Sequence, residues 1–334
     1  MTNFIKQLPK VELHCHLDGS IRPSTLKKIY ENSSELLMLS DEELLKAVRA
    51  PEKCNNLTEY LSCFPLVTAV LNTPKSLKIA LMDVMEQASQ ENLIYQEIRF
   101  SPKHLSTSTF SMEDVVESLV KAKKELQPFY PVEVGLIACC MRGQLDSVNL
   151  EIVRLAQKYQ KYGIVGIDLA GNELKYATKD YKNIFLKAES LGIPYTIHAG
   201  ETGSVENIKD AIDFGAKRIG HGIALSKDKV LLEKIAKQNI LLEMCPVCNI
   251  QTRASYSWKD YPVSLFKEFG VNYCFNTDNR TVSNTTITRE FEEIDIHKYP
   301  ITREEVNATT LQAIDYLFVS NMKKKDLKER VKHV

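Results

Sequence analysis

The chain has no excess of charge: 43 Lys and Arg balance 43 Asp and Glu over 334 residues. Without a basic or acidic surplus there is no electrostatic reason to expect nucleic acid or an anionic membrane as partner. No apolar run approaches the length of a transmembrane helix, and the stretch Met1 to Lys10 lacks the apolar core of a signal peptide. The eight cysteines are scattered through a chain too large to need disulfide staples, so reduced thiols and a cytoplasmic location are expected. There is no internal repeat and no low-complexity linker, which favours one domain over residues 1–334. No Gly-x-Gly-x-x-Gly follows the first apolar segment, which counts against a dinucleotide-binding fold.

What is present is an alternation. Short β-rich runs occur at Val11–Leu17, Leu93–Phe100, Val132–Ala138, Ile164–Leu169, Tyr195–Ala199, Arg218–His221, Ile240–Met244 and Tyr273–Thr277. Amphipathic stretches separate them. Leu77, Ala80, Leu81, Val84, Met85 and Ala88 follow i, i+3, i+4 spacing, and Leu231 to Lys237 precedes the seventh run. Eight strands alternating with helices predict a parallel (β/α)8 barrel rather than a doubly wound sheet. Ser24 to Pro74 is a long helical insertion after the first strand, with Leu36–Leu39 and Leu44–Val48 as candidate pieces. Insertions at that end of a barrel strand lie on the active-site face and act as lids. The locally basic tail Lys323 to Arg330 predicts the solvated face of a final helix, as a C-terminal helical extension.

His14 and His16 lie two residues apart at the end of the first strand. On a strand such residues share a face and can reach one metal ion. Alone the pair is weak evidence, so later strand ends must supply further ligands and a proton-transfer group. They do. The fourth strand ends in Asp168-Leu169-Ala170-Gly171-Asn172-Glu173 and the fifth in His198-Ala199-Gly200-Glu201. The sixth gives Gly220-His221-Gly222, the seventh Cys245-Pro246-Val247-Cys248-Asn249, and the eighth Asn276-Thr277-Asp278-Asn279. In a barrel all these ends share one face. His14, His16, His198 and Asp278 form a nitrogen and oxygen ligand set suited to one Zn²⁺, with Glu201 as proton shuttle and His221 orienting an attacking hydroxide. His104, His297 and His333 read as surface groups. Cys245 and Cys248, with no second pair, read as packing rather than a structural zinc site. Cys139 and Cys140 read as strand-end packing.

These ordered motifs, from Glu12-Leu13-His14-Cys15-His16-Leu17-Asp18-Gly19 to Asn276-Thr277-Asp278, resemble the adenosine deaminases over nearly the whole chain. The resemblance implies a metal-dependent amidohydrolase barrel that converts adenosine, and 2′-deoxyadenosine, to inosine and ammonia in purine salvage. It implies Zn²⁺ on His14, His16, His198 and Asp278, and Glu201 protonating purine N1 as hydroxide attacks C6. It further implies the Gly171 N–H on N3, Asp18 on the ribose, and His16 against the nucleoside. Leu57, Tyr60, Leu61 and Phe64 would form the apolar face of the lid. Two positions depart from the family pattern. Asn279 stands where many members carry a second Asp, and its amide can donate to N7 without a pKa shift; Cys248 stands where Ser is commoner. The His-x-Glu with Pro-Cys-x-x-Cys pattern of the other zinc deaminases is absent. Two alternatives remain: a sibling barrel deaminating adenine or a modified AMP, and a non-catalytic barrel that binds a nucleoside.

Overall fold

The computed structural model describes residues 4–31 and 39–332. His333 and all but Leu39 of the Leu36–Leu39 piece lie outside them. Eight parallel strands carry the chain: β1 (Lys10–His16), β2 (Leu93–Phe100), β3 (Glu133–Met141), β4 (Ile164–Ala170), β5 (Ile197–Ala199), β6 (Arg218–His221), β7 (Leu241–Met244) and β8 (Asn272–Phe275). They pair in order as two runs of four. Parallel bridges at Ile167↔Tyr195 and Cys15↔Asp278 join the runs at both seams. At the first seam Ile167 N donates to Pro194 O at 3.0 Å, and Thr196 N donates to Ile167 O at 3.1 Å. At the second, His16 N donates to Asp278 O at 2.7 Å and Asp278 N to His14 O at 2.9 Å. The chain is a (β/α)8 barrel, as its strand–helix alternation predicts.

The strands are buried almost end to end because both faces are covered, by the barrel interior on one side and helices on the other. The helix Pro74–Gln90 shows how the sequence pattern becomes packing. Thr73 and Ser76 form a capping box, Pro74 opens the helix, and the six residues with helical spacing are all buried. Where the pattern runs the eighth strand to Thr277, β8 stops at Phe275. Beyond it the Asn276 side chain accepts from Leu13 N at 2.8 Å and His14 N at 3.2 Å, tying the loop to β1 ahead of the Cys15↔Asp278 bridge. β3 extends to Met141, past its expected end.

The insertion after β1 is helical: Pro23–Glu31, Asp41–Val48, Leu57–Leu61 and Pro65–Val70. Of the C-terminal helices, Arg303–Asp315 packs on β1 and β8, and Asn321–Lys332 packs on Arg303–Asp315. The basic tail is not only solvated. Lys323 Nζ stands 2.8 Å from Glu133 at the start of β3, while Leu327 and Val331 are buried. Among the described residues no helix is long and apolar enough to cross a membrane.

Candidate active site

The strand ends converge on a pocket of about 280 Å³. His14 and His16 come from β1, His198 from β5 and His221 from β6, while Asp278 follows β8. His221 and Asp278 adopt left-handed backbone conformations, φ 63° and 57°. Such non-glycine conformations cost of order 1–3 kcal/mol each and persist where the surroundings hold them. Gly19 shows how close the packing is: a Cβ there would lie 1.8 Å from Asn279 Oδ1.

Three imidazole nitrogens and one carboxylate oxygen cluster here. Asp278 Oδ1 lies 3.2 Å from His14 Nε2 and 3.3 Å from His16 Nε2, and His16 Nε2 lies 3.4 Å from His198 Nε2. Donors about 3.3–3.4 Å apart are what a tetrahedral ion with bonds of about 2.0–2.1 Å requires. His14 Nε2 is buried with no hydrogen-bond partner, so the cluster leaves a polar atom for something else to satisfy. Burial, with neighbouring positive groups, holds His14, His16 and His221 well below the usual imidazole range. Neutral rings keep the lone pairs that a metal needs. The donor set therefore fits a divalent metal. His221 lies in the same cluster: its ligand atom and those of His14, His198 and Asp278 fall within 4.8 Å of one another.

A layer of charge behind the histidines orients them. His14 Nδ1 stands 2.9 Å from Glu243 Oε2, and His198 Nδ1 stands 2.9 Å from Asp168 Oδ2. Carboxylates at Nδ1 put the ring proton there and aim the Nε2 lone pair into the site. Arg99 joins the two, donating at 2.8 Å to each carboxylate. Arg218 donates to Glu243 at 2.7 Å and pairs with Glu97 at 2.6 Å. Burial alone would raise the carboxyls of Glu243 and Asp168. Arg218 and Arg99 hold Glu243 well below the usual range; His198 and Arg99 do so for Asp168.

Glu201 is the opposite case. Burial pushes its carboxyl well above the usual range, Asp278 and Glu173 add to this, and Arg142 opposes. A buried carboxyl kept protonated can donate. Its Oε2 stands 3.7 Å from His221 Nε2. Glu173 holds the turn that carries Glu201, accepting from Gly200 N at 2.6 Å, Glu201 N at 2.9 Å and Thr202 N at 3.1 Å. Asp18 is buried and its carboxyl is pushed up to about 6, chiefly by that burial. Asp18, Gly171 and Asn279 all face the same pocket.

The helix Leu57–Leu61 and Phe64 line the mouth of the pocket. Tyr60 is buried and its hydroxyl shares a 2.7 Å hydrogen bond with Ser283 Oγ; Asn172 Nδ2 donates to Thr58 Oγ1 at 3.0 Å. His104 is exposed, as a surface reading expects, yet it also lines this mouth. His297 is exposed and stacks on Trp258. All eight cysteines are unpaired and buried; Cys248 Sγ lies 4.0 Å from Glu201 Oε1 and Cys139 lines the pocket. Sequence reasoning missed Glu243, Arg99 and Glu173 as supports of the site. The available signal was charge inside apolar strands: Glu243 in Leu-Leu-Glu-Met and Arg99 in Ile-Arg-Phe, since buried charge is rare unless paired.

The adenosine deaminase family model matches residues 9–334. An adenosine deaminase from Enterococcus faecalis is 38% identical over 327 residues, which is 98% of this chain and 97% of that protein. Among solved structures, an adenine deaminase from Arthrobacter aurescens superposes with a TM-score of 0.89 at 24% identity, covering 98% of each chain. An amidohydrolase from Burkholderia ambifaria, with bound zinc, superposes at 0.87 with 20% identity, covering 99% of this chain and 91% of its own.

Proposed function

As the chain belongs to the adenosine deaminase family, we propose that it hydrolyses adenosine, and 2′-deoxyadenosine, to inosine and ammonia in cytoplasmic purine salvage. The observation that carries this reading is a buried Glu201, its carboxyl pushed up chiefly by that burial, in the same pocket as a cluster of histidines and an aspartate. One Zn²⁺ held by His14, His16, His198 and Asp278 would supply Lewis acidity and a hydroxide nucleophile at neutral pH.

The chain's own residues do the rest. Purine C6 is a poor electrophile until N1 is protonated, and Glu201 supplies that proton from a site where burial holds it ready. His221 meets the attacking oxygen. Asn279 offers its amide to N7, the Gly171 N–H meets N3, Asp18 takes the ribose, and His16 touches both metal and nucleoside. The lid supports the exclusion of water while the reaction proceeds.

The test is a panel of adenosine, 2′-deoxyadenosine, adenine and AMP, with metal analysis of the purified protein. Inosine formation from adenosine that disappears in Glu201→Gln, with zinc retained, is the expected result. Turnover of adenine or AMP alone would assign the chain to a sibling specificity. An absence of any turnover in zinc-loaded protein would make it a binding barrel.

A further inference from the structure

Five side chains crowd the site with the chemistry to bind a metal: His14, His16, His198, His221 and Asp278. We infer that Asn249 is a positioning residue that sets the tautomer of His221, placing its single ring proton on Nε2. His221 then serves the pocket as a hydrogen-bond donor, and neither as a proton acceptor nor as a metal ligand. The catalytic consequence rests on the deaminase reading above; the tautomer itself does not.

The two ends of the Asn249 amide face different neighbours. One end of its amide lies 3.3 Å from Cys245 N and 3.3 Å from Tyr261 Oη. A backbone N–H can only donate, so that end is the carbonyl oxygen. The other end, Nδ2, therefore faces His221 Nδ1, at 3.0 Å. An amide nitrogen also only donates, so Nδ1 must offer a lone pair. A neutral imidazole carries one proton, and the remaining position is Nε2.

His14 and His198 are wired the other way. His14 Nδ1 bonds Glu243, which only accepts, so its Nε2 keeps a lone pair; His198 Nδ1 stands 2.9 Å from Asp168 Oδ2 without hydrogen-bond alignment, and a carboxylate there likewise favours the Nδ1 proton. The same ring is thus given opposite roles by the residue behind it: a carboxylate makes a ligand, an amide makes a donor. This separates His221 from His14 and His198 within the cluster.

The support is rigid. Asn249 is fully buried in the helix Pro246–Gln251. That helix is tied down through Val247 N, which donates to Glu290 Oε2 at 2.9 Å. His221 is held by its left-handed backbone, with Nε2 3.7 Å from Glu201 Oε2. A ring that presents N–H to the attacking oxygen cannot take the proton that water gives up. Glu201, having given its own proton to N1, is the acceptor in reach, and the protons balance through that one carboxyl.

The test is nitrogen-15 NMR of histidine-labelled, zinc-loaded protein, in which the two tautomers give distinct ring-nitrogen shifts. The chain has only seven histidines, and His221→Gln identifies the signal by its loss. The expected result is a proton on Nε2 of His221 and on Nδ1 of His14 and His198. A proton on Nδ1 of His221 in the parent protein would overturn the inference, whatever the enzyme turns over. In Asn249→Asp the new carboxylate should draw the proton to Nδ1 and lower kcat on the order of 10²-fold, as loss of an oriented donor does. In Asn249→Thr the hydroxyl can still donate to Nδ1, and the Nε2 proton and most of kcat should return. An Asn249→Asp protein with inverted shifts and the parent kcat would overturn the catalytic role. A parent protein with the expected shifts that leaves adenosine untouched would instead refute the deaminase reading alone.

Discussion

Glu243 is the test of whether the charged layer behind the histidines holds both the fold and the metal. It is fully buried on β7 and accepts four contacts. Arg218 Nε at 2.7 Å and Thr196 Oγ1 at 2.9 Å reach Oε1; Arg99 Nη2 at 2.8 Å and His14 Nδ1 at 2.9 Å reach Oε2. Glu243→Gln keeps the shape and removes the charge. Whichever way the amide turns, its NH2 faces donors. Removing one partner of a buried ion pair costs about 3–5 kcal/mol. The loss is not doubled, because Arg99 keeps Asp168 and Arg218 keeps Glu97. For a chain of 334 residues that cost lowers the unfolding midpoint by about 4–7 °C. His14 also loses the carboxylate that fixes its tautomer, and loss of such a partner weakens metal binding about 10–100-fold. Thermal unfolding followed by circular dichroism reads the first effect and chelator competition the second. A variant with the parent midpoint and the parent resistance to chelator would refute the claim that Glu243 supports the site.

Three more outcomes follow from particular groups. Asn279→Ala should lower kcat/KM for adenosine about 5–10-fold, the worth of one hydrogen bond of about 1 kcal/mol; an unaltered value rules out the N7 contact. Tyr60→Phe deletes the hydroxyl that bonds Ser283, and amide exchange in Leu57–Leu61 should quicken by a similar factor, whereas unchanged protection would show that this bond does not hold the lid. Burial pushes the Glu290 carboxyl up to about 8. Its raised folded pKa gives stability that is fully present below the unfolded value of about 4.3 and is lost as pH rises toward 8, by up to about 1.4 kcal/mol per pH unit. Glu290→Gln, which can still accept from Val247 N and donate to Thr285 Oγ1, should flatten that decline; parallel pH–stability curves for the two proteins would contradict it.

The parts legible in the sequence were those that repeat at short range. The face Leu77, Ala80, Leu81, Val84, Met85 and Ala88 is buried as its spacing predicts, because 3.6-residue periodicity is a property of the helix itself. His14 and His16 share a strand face for the same kind of reason. The strand-end positions of His198, His221 and Asp278 could be read because each lies at or just past the end of a short β-rich run. Strand ends were less legible: β8 stops short because the Asn276 side chain, and not a β pairing, satisfies Leu13 N and His14 N.

By itself, then, the sequence determined the periodicities, the eight strands, and which residue types stand at their ends, because those depend on residues a few positions apart. Tertiary structure alone decided what stands behind each histidine. Glu243 lies 229 residues from His14 and Asn249 lies 28 from His221, and no local pattern records either pairing. Closure of the barrel puts a carboxylate behind one imidazole and an amide behind another. In a buried, low-dielectric site that difference decides which nitrogen keeps a lone pair.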